Sequence, residues 1–276
     1  MTIPLITDYV LRVLVVLLFG IISLKKKLVD TTGFIAGLFV GLSVILLGGW
    51  NWFITLLLFH LVAGIATKWK YEHKRSLGVA EEKGGARSWK NVLANGIVAS
   101  IAVILEYIIG GQIWAYAYLA AVATAMGDTL ATEIGLLSPS KPRLIVKPWI
   151  KVEPGASGGV SLLGYIASAL AGSIIGLIGY VLSIVPSTET PSPNPLYLTG
   201  VITLATLIGV TIDSVIGATI QAQYRCTVCG KLTERSIHCG KQAILIKGIR
   251  LIDNHIVNIL GIVSGALSAM IIVLLV

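Results

Sequence analysis

The fold class this sequence predicts is an all-α, polytopic transmembrane helical bundle of about eight spans, and three observations predict it. Of its 276 residues, 55% are hydrophobic and only 12% are charged, about half the charged share of ordinary soluble domains. The mean hydropathy is +0.89. The apolar residues fall into runs close to the roughly 20 residues that a helix needs to cross a bilayer, and the basic residues cluster in alternate connections between those runs.

The runs lie at 9–24, 32–49, 50–67, 92–109, 112–131, 160–184, 197–222 and 254–276. No basic stretch precedes the first run and no small-x-small site follows Leu24. It is therefore expected to be an anchor rather than a cleaved signal. Between the second and third runs the connection is short enough to leave a re-entrant hairpin open as an alternative.

Lys25, Lys26 and Lys27 follow the first run, and seven Lys/Arg from Lys68 to Lys90 follow the third. Lys141, Arg143, Lys147 and Lys151 follow the fifth, and six from Arg225 to Arg250 follow the seventh, so these connections hold 20 of the 21 basic residues. The positive-inside rule then puts both termini outside and the four basic connections in the cytoplasm. The protein is expected to be a multi-pass protein of the cell membrane whose active site faces the cytoplasm. A net charge of +8 in this arrangement suits anionic headgroups or phosphorylated substrates, and nucleic acid is not expected as a partner.

Residues 1–276 read as a single membrane domain, with 222–250 as a cytoplasmic loop and candidate small zinc-binding insert. The first three runs carry little polar content beyond Asp30 and His60 and read as scaffold. The loop from Lys68 to Lys90 has room for a short amphipathic stretch, and the Pro-rich connection 186–195 has no assignable chemistry. Gly33/Gly37/Gly41 and Gly172/Gly176 have the four-residue spacing that lets membrane helices pack closely.

Ionisable residues inside spans are expensive, so each is a functional candidate. In Gly127–Gly135 (GDTLATEIG), Asp128 shares a helix face with Thr132, and Thr129 a neighbouring one with Glu133. Two carboxylates with hydroxyls between them suit Mg²⁺, which takes one or two carboxylates plus substrate phosphates; the alternative is that both acids snorkel to the interface or cap the helix end. Before the sixth run, Gly155, Ser157, Gly158, Gly159 and Ser161 expose backbone N–H groups at a helix start, an anion site by dipole and geometry. The alternative there is a flexible loop with a serine cap.

Asp213, Gly217 and Gln221 form a polar stripe at i, i+4 and i+8. Asp253, Asn254 and Asn258 open the eighth run, with Asp253 the better candidate for a helix cap, and Asn95 joins the same end. Glu106, near the outer end of its helix, is left out. Cys226-x-x-Cys229 is followed nine residues later by His238-Cys239. Three thiols and one imidazole make a Cys₃His zinc set, and free thiols in a reducing cytoplasm are the other reading.

Acidic ligands, a Gly/Ser cradle and basic loops at one face suggest phosphoryl or nucleotidyl transfer to a lipid, with Mg²⁺ bridging donor phosphates. A transporter, with Asp128, Glu133 and Asp213 along an ion or proton path, competes with this. Such a path needs polar groups reaching both faces, and the outer halves of the runs are almost wholly apolar.

EKGGARSWKNVLANG (Glu82–Gly96), MGDTLATEIG (Met126–Gly135), PGASGGVSLLG (Pro154–Gly164), DSVIGATIQ (Asp213–Gln221) and LIDNHIVN (Leu251–Asn258) occur in that order. On these motifs the chain resembles the integral-membrane family that includes plant phytyl-phosphate kinase and animal transmembrane protein 19, with archaeal and bacterial members. The resemblance covers most of the chain. It departs at Met126-Gly127-Asp128, where the family commonly has Ala-Asp, and the acid is kept.

The resemblance implies a CTP-dependent kinase that converts a prenyl monophosphate of phytyl or geranylgeranyl type to its diphosphate. Asp128, Glu133 and Asp213 would then bind Mg²⁺, and Gly155 to Gly159 with Ser157 and Ser161 would cradle CTP phosphates. Lys147, Arg143 and Arg87 would offset charge, while Asn95, Asn254 and Asn258 orient a phosphate or metal-bound water. The isoprenoid tail would enter between helices from the inner leaflet. A lipid cytidylyltransferase with the same metal and nucleotide is the alternative within this chemistry.

Overall fold

The computed structural model describes residues 3–76, 83–184, 194–230 and 232–275. Glu81, Glu82 and the Pro-rich connection from 186 to 193 lie outside the described residues. The chain forms α1 (Ile3–Lys25), α2 (Thr31–Ser43, prolonged by a π turn at Val44–Gly48), α3 (Trp50–Lys68) and the short α4 (Tyr71–Ser76). It continues as α5 (Trp89–Ile109), α6 (Gln112–Gly135), α7 (Leu162–Val181), α8 (Pro195–Thr219) and α9 (Asn254–Leu275).

The helices start where the sequence supplies caps. Asp30 Oδ1 accepts from Gly33 N at 2.9 Å before α2, and Asn194 Oδ1 from Leu196 N at 2.7 Å before α8. Pro195 follows Asn194 at a first-turn position, where its missing N–H costs nothing. Asp253 Oδ1 accepts from His255 N and Ile256 N at 3.0 and 3.1 Å, so Asp253 is the cap of α9. The short second connection is a sharp reversal at Gly49 (φ 85), a conformation that glycine adopts readily. Lys68, at the far end of α3, donates to the Lys26 carbonyl. Both α2 and α3 therefore run the length of the bundle, which removes the re-entrant alternative.

Among the described residues, seven helices are long and apolar enough to cross a membrane by length and composition. The fifth expected run, α6, is as long but less apolar. Packing explains this: α6 touches α3, α5, α7, α8 and α9, and residues 115–127 are all buried. A helix surrounded by protein needs no lipid-facing surface, so it can be built from Ala with Thr and Asp among them. By contrast α1 lies at the edge, with Leu11, Leu14 and Leu18 exposed. Gly172 and Gly176 do what their spacing predicts. A Cβ at either would lie 2.8 Å from the Cα of Thr203 or Thr199, so α7 and α8 meet backbone to backbone.

The four basic connections lie at one end of the bundle. Asp30 N donates to Arg87 O at 3.0 Å, Lys74 pairs with Glu133, Ser157 bonds Glu234, and Ala222 N donates to Ile252 O. At the other end, Trp50 Nε1 bonds Asp8 and Asn51 Nδ2 bonds Leu182 O. Arg12, the one basic residue outside the four connections, sits there in a 2.8 Å ion pair with Asp8.

The longer connections at the basic end carry small strands that the sequence reading did not anticipate. β1 (Arg143–Leu144), β2 (Lys147–Lys151) and β3 (Gly159–Val160) form one antiparallel sheet in the order β2-β1-β3. In the 222–250 insert, β4 (Gln223–Arg225), β5 (Leu232–Thr233) and β8 (Ile244–Lys247) form a second sheet. β6 (Ile237–His238) and β7 (Lys241–Gln242) make a separate hairpin.

Candidate functional site

Asp128 lies on α6 about two turns from its loop end, and Asp213 lies on α8 at a similar depth. Asp128 is held by its neighbour: the Ser168 hydroxyl on α7 donates to Gly127 O at 3.0 Å. A Cβ at Gly127 would meet Thr206 Cγ2 at 2.7 Å, so the Gly-Asp pair seats α6 directly against α7 and α8. Asp213 packs on Gly261 of α9, where a Cβ would come within 2.8 Å of its own Cβ. One turn nearer the basic end on the same face of α9 is Asn258, which is half-buried, while Asn254 is exposed.

Among the described residues, the charged groups around these two acids include Arg87 and Glu234. Asp128 is within electrostatic range of both, and Asp213 within range of Asp128 and Glu234. Arg87 Nη2 also lies 3.5 Å from the Thr67 and Thr129 hydroxyls. Buried polar atoms with no partner among the described residues include Asp213 Oδ2, Gln221 Nε2, Asn95 Oδ1 and Thr124 Oγ1. Buried polar atoms are nearly always satisfied. Asp213 Oδ2 and Gln221 Nε2 belong to the Asp213–Gly217–Gln221 stripe, so two of these atoms lie at the end of the bundle that carries the acids.

Three expected site residues lie elsewhere. Glu133 forms a 2.5 Å ion pair with the buried Lys74 of α4. Five residues turn a helix by about 140° beyond a full turn, so Glu133 leaves the face that carries Asp128. Arg143 and Lys147 are exposed on the β1–β2 hairpin, where Arg143 donates to Pro148 O at 2.7 Å. Neither ion-pairs with Asp128 or Asp213 among the described residues. The hairpin buries no side of β2, and its cations stand in solvent.

The Gly/Ser loop is partly occupied by its own turns. Ser161 caps α7 by accepting from Gly164 N at 3.1 Å, and the Ala156 and Gly159 amides bond Glu153 O and Ala156 O. The amides of Gly155 and Ser157 have no partner among the described residues. Gly158 (φ 77) presses against α8 so closely that a Cβ there would lie 2.4 Å from Ala218 Cβ. Gly217 and Gly158 thus dock the loop on the end of the Asp213 helix. Ser157 Oγ donates to Glu234 at 2.7 Å.

Glu234 and Lys74 were not singled out from the sequence. Glu234 is the one acid in a loop with six Lys/Arg, a signal that could have marked it. Lys74 offered none, because its burial depends on α4 docking under α3 and α6.

Helices α1, α2, α3 and α5 enclose a mostly apolar cleft lined by Phe34, Gly37, Leu57 and Gly96 among others, with Ser23, His60, Arg87, Asn91 and Asn95 as its polar members. The Arg87 side chain thus borders both the cleft and Thr129, next in sequence to Asp128.

In the insert, Cys226, Cys229, His238 and Cys239 offer ligand atoms within 4.8 Å of one another, and among the described residues they are the one such group of three or more His, Cys, Asp or Glu. Asp128, Glu133 and Asp213 do not converge in this way. The N–H groups of Cys229 and Val228, with the former the larger influence, help hold the Cys226 thiol down to about 6, and the neighbouring Cys229 pushes Cys239 up to about 11.

The fold and site define a polytopic, all-α integral membrane protein with two half-buried acids and a half-buried arginine at its basic end. The chain belongs to the family described as integral membrane protein DUF92, which matches residues 14–266. It is 31% identical to Protein PGR of Arabidopsis thaliana over 87% of each chain. It is 33% identical to an uncharacterized membrane protein of Methanocaldococcus jannaschii over 62% of this chain and 69% of that one. Protein VTE6, chloroplastic, of Arabidopsis thaliana is 24% identical over 82% of this chain and 62% of its own. No solved structure matches.

Proposed function

We propose that this protein is a CTP- and Mg²⁺-dependent kinase of prenyl monophosphates, working at the membrane face that bears the basic loops. That face is cytoplasmic by the positive-inside rule. One observation carries the reading: an apolar cleft has Arg87 and Asn95 among its lining, and Arg87 is also in electrostatic range of Asp128. A prenyl monophosphate has the same construction, a long apolar tail ending in a dianion. The family resemblance, with phytyl-phosphate kinase among its members, supports the same substrate class.

In this reading the tail lies in the cleft, and Arg87 and Asn95 hold the phosphate. An arginine fork suits this better than a lysine, because it offers several donors in one plane. The donor phosphates meet the Gly155 and Ser157 amides. Asp128 and Asp213 hold Mg²⁺, a number of carboxylates that fits its preference when phosphates complete the shell. Bound there, the ion would neutralise charge on the donor phosphates.

An oxygen of the prenyl phosphate forms a new bond to the γ-phosphorus of CTP, the β–γ bridging bond breaks, and CDP leaves with the electron pair. The attacking oxygen is already ionised, since a phosphate monoester loses its second proton near pH 6. No general base is required, and the residues position groups and offset charge.

The test is purified protein with Mg²⁺, labelled CTP and geranylgeranyl monophosphate. CDP and geranylgeranyl diphosphate are expected. Pyrophosphate release would convert the reading to a cytidylyltransferase, and no turnover with any nucleoside triphosphate would overturn it.

A further inference from the structure

We propose that Cys226, Cys229, His238 and Cys239 bind one Zn²⁺, and that this ion fixes the 222–250 insert so that Glu234 reaches the Gly/Ser loop beside Asp128 and Asp213. Tetrahedral zinc, with Zn–S near 2.3 Å and Zn–N near 2.0 Å, sets its ligand atoms roughly 3.5–3.8 Å apart. His238 Nδ1 lies 3.6 Å from Cys229 Sγ and 3.2 Å from Cys239 Sγ.

Two tight turns present the ligands. In the first, the Val228 and Cys229 N–H groups point at Cys226 Sγ from 3.3 and 3.4 Å, and Gly230 N closes the turn on Cys226 O at 3.1 Å. Amides aimed at a sulfur stabilise the thiolate that a metal needs. In the second, the β6–β7 hairpin turns at Cys239 (φ 50) and Gly240 (φ 73), both left-handed. Such turns favour Asn, Asp or Gly, and a cysteine there is uncomfortable. A metal-bound sulfur accounts for it, and the reversal lets adjacent His238 and Cys239 reach one point.

Among the described residues the insert has little apolar core. Its own buried apolar cluster is Ala222, Tyr224 and Ala243, with Leu245 packed alongside. Units this small rarely fold on so little apolar core and are commonly stapled by metals or disulfides. All three cysteines are free, and an odd number cannot all pair within one chain.

What the staple positions is Glu234, five residues after Cys229 and four before His238. Both flanks of its turn are anchored to the same four ligands, and its carboxylate receives the Ser157 hydroxyl at 2.7 Å. The zinc assignment is independent of the reaction. Any effect of Glu234 on turnover rests on the kinase reading, so the test uses no activity readout.

The full chain, purified in detergent without added metal, is expected to carry one zinc per chain by mass spectrometry. After exchange with Co²⁺ it should show a thiolate-to-cobalt charge-transfer band. Cys229→Ser and Cys239→Ser should each lower zinc content at least tenfold while the helical circular dichroism and elution volume stay unchanged. Hydrogen exchange separates the two halves of the proposal. Cys229→Ser should lose protection over 223–247 and over 154–160, whereas Glu234→Gln should keep its zinc and loosen only 154–160. A folded wild-type chain that neither carries zinc nor takes up Zn²⁺ or Co²⁺ overturns the metal site. Zinc loss that leaves 154–160 equally protected overturns the staple.

Discussion

Lys74 and Glu133 form a 2.5 Å ion pair in which the lysine side chain is 1% exposed and the glutamate 13%. Lys74 also donates to the Ala66 and Thr67 carbonyls at 3.0 and 2.8 Å, so it caps the loop end of α3 while tying it to α6. The pair brackets the helix that carries Asp128, on a different face from that acid.

Lys74→Met leaves Glu133 largely buried without its counter-charge and three acceptors without their donor. Breaking a buried pair this way costs roughly 3–5 kcal/mol, so the unfolding midpoint in detergent should fall by many degrees. The double variant Lys74→Met/Glu133→Leu should recover a large part of the loss. Turnover per folded molecule should change little in Glu133→Gln. A collapse of turnover equal to that of Asp128→Asn would return Glu133 to the metal.

Asp128→Asn and Asp213→Asn keep shape and remove charge. Each should reduce kcat at least 100-fold, the scale seen when one preorganised electrostatic group is removed from an active site. Folding should be unaffected or improved, because each change relieves repulsion among Asp128, Asp213 and Glu234. Isothermal titration of Mg²⁺ in the presence of a non-hydrolysable CTP analogue gives the second readout, with weaker binding in both variants. Either variant retaining wild-type kcat would remove that acid from the metal site.

Arg87→Lys preserves the charge and loses the fork. The Arg87 main chain, which accepts from Asp30 N and donates to Leu28 O, is untouched, so the α2–α5 junction should hold. Hydrogen bonds to charged groups contribute about 1.5–3 kcal/mol, which predicts a 10- to 100-fold loss in kcat/KM for the prenyl phosphate. The KM for CTP should stay the same. A change confined to CTP would move Arg87 to the donor side of the site.

The helices were legible because a span must be a long apolar run, and Asp128 and Asp213 because an acid in such a run is conspicuous. The Cys/His set was legible from spacing alone, although only the left-handed Cys239 shows how adjacent ligands can share one metal. Glu133 was misplaced because proximity in sequence to Asp128 outweighed its helical angle. Arg143 and Lys147 look like phosphate ligands by charge and position, and a two-residue strand pairing turns them outward. Glu234 depends on how its loop meets the Gly/Ser loop at Ser157, 77 residues earlier in the chain, a relationship that no local pattern encodes.

Gly37 lies in the lining of the cleft, and a Cβ built there meets nothing within 4 Å. Its neighbours in the four-residue spacing differ: a Cβ at Gly41 would meet Val16 at 3.1 Å, and one at Gly33 would strike the Arg87 carbonyl. Gly37 is therefore free of the packing role that its spacing suggests, and what its missing side chain leaves is room. Replacing a mid-helix glycine removes a backbone entropy cost of about 0.5–1 kcal/mol, so Gly37→Leu should not destabilise the protein. It should fill the cleft where a chain would lie. Activity with a C20 prenyl phosphate should fall well below that with a C10 homologue, with the KM for CTP unchanged. An unaltered C20-to-C10 ratio in kcat/KM would mean that the tail lies outside this cleft, whatever the reaction at Asp128.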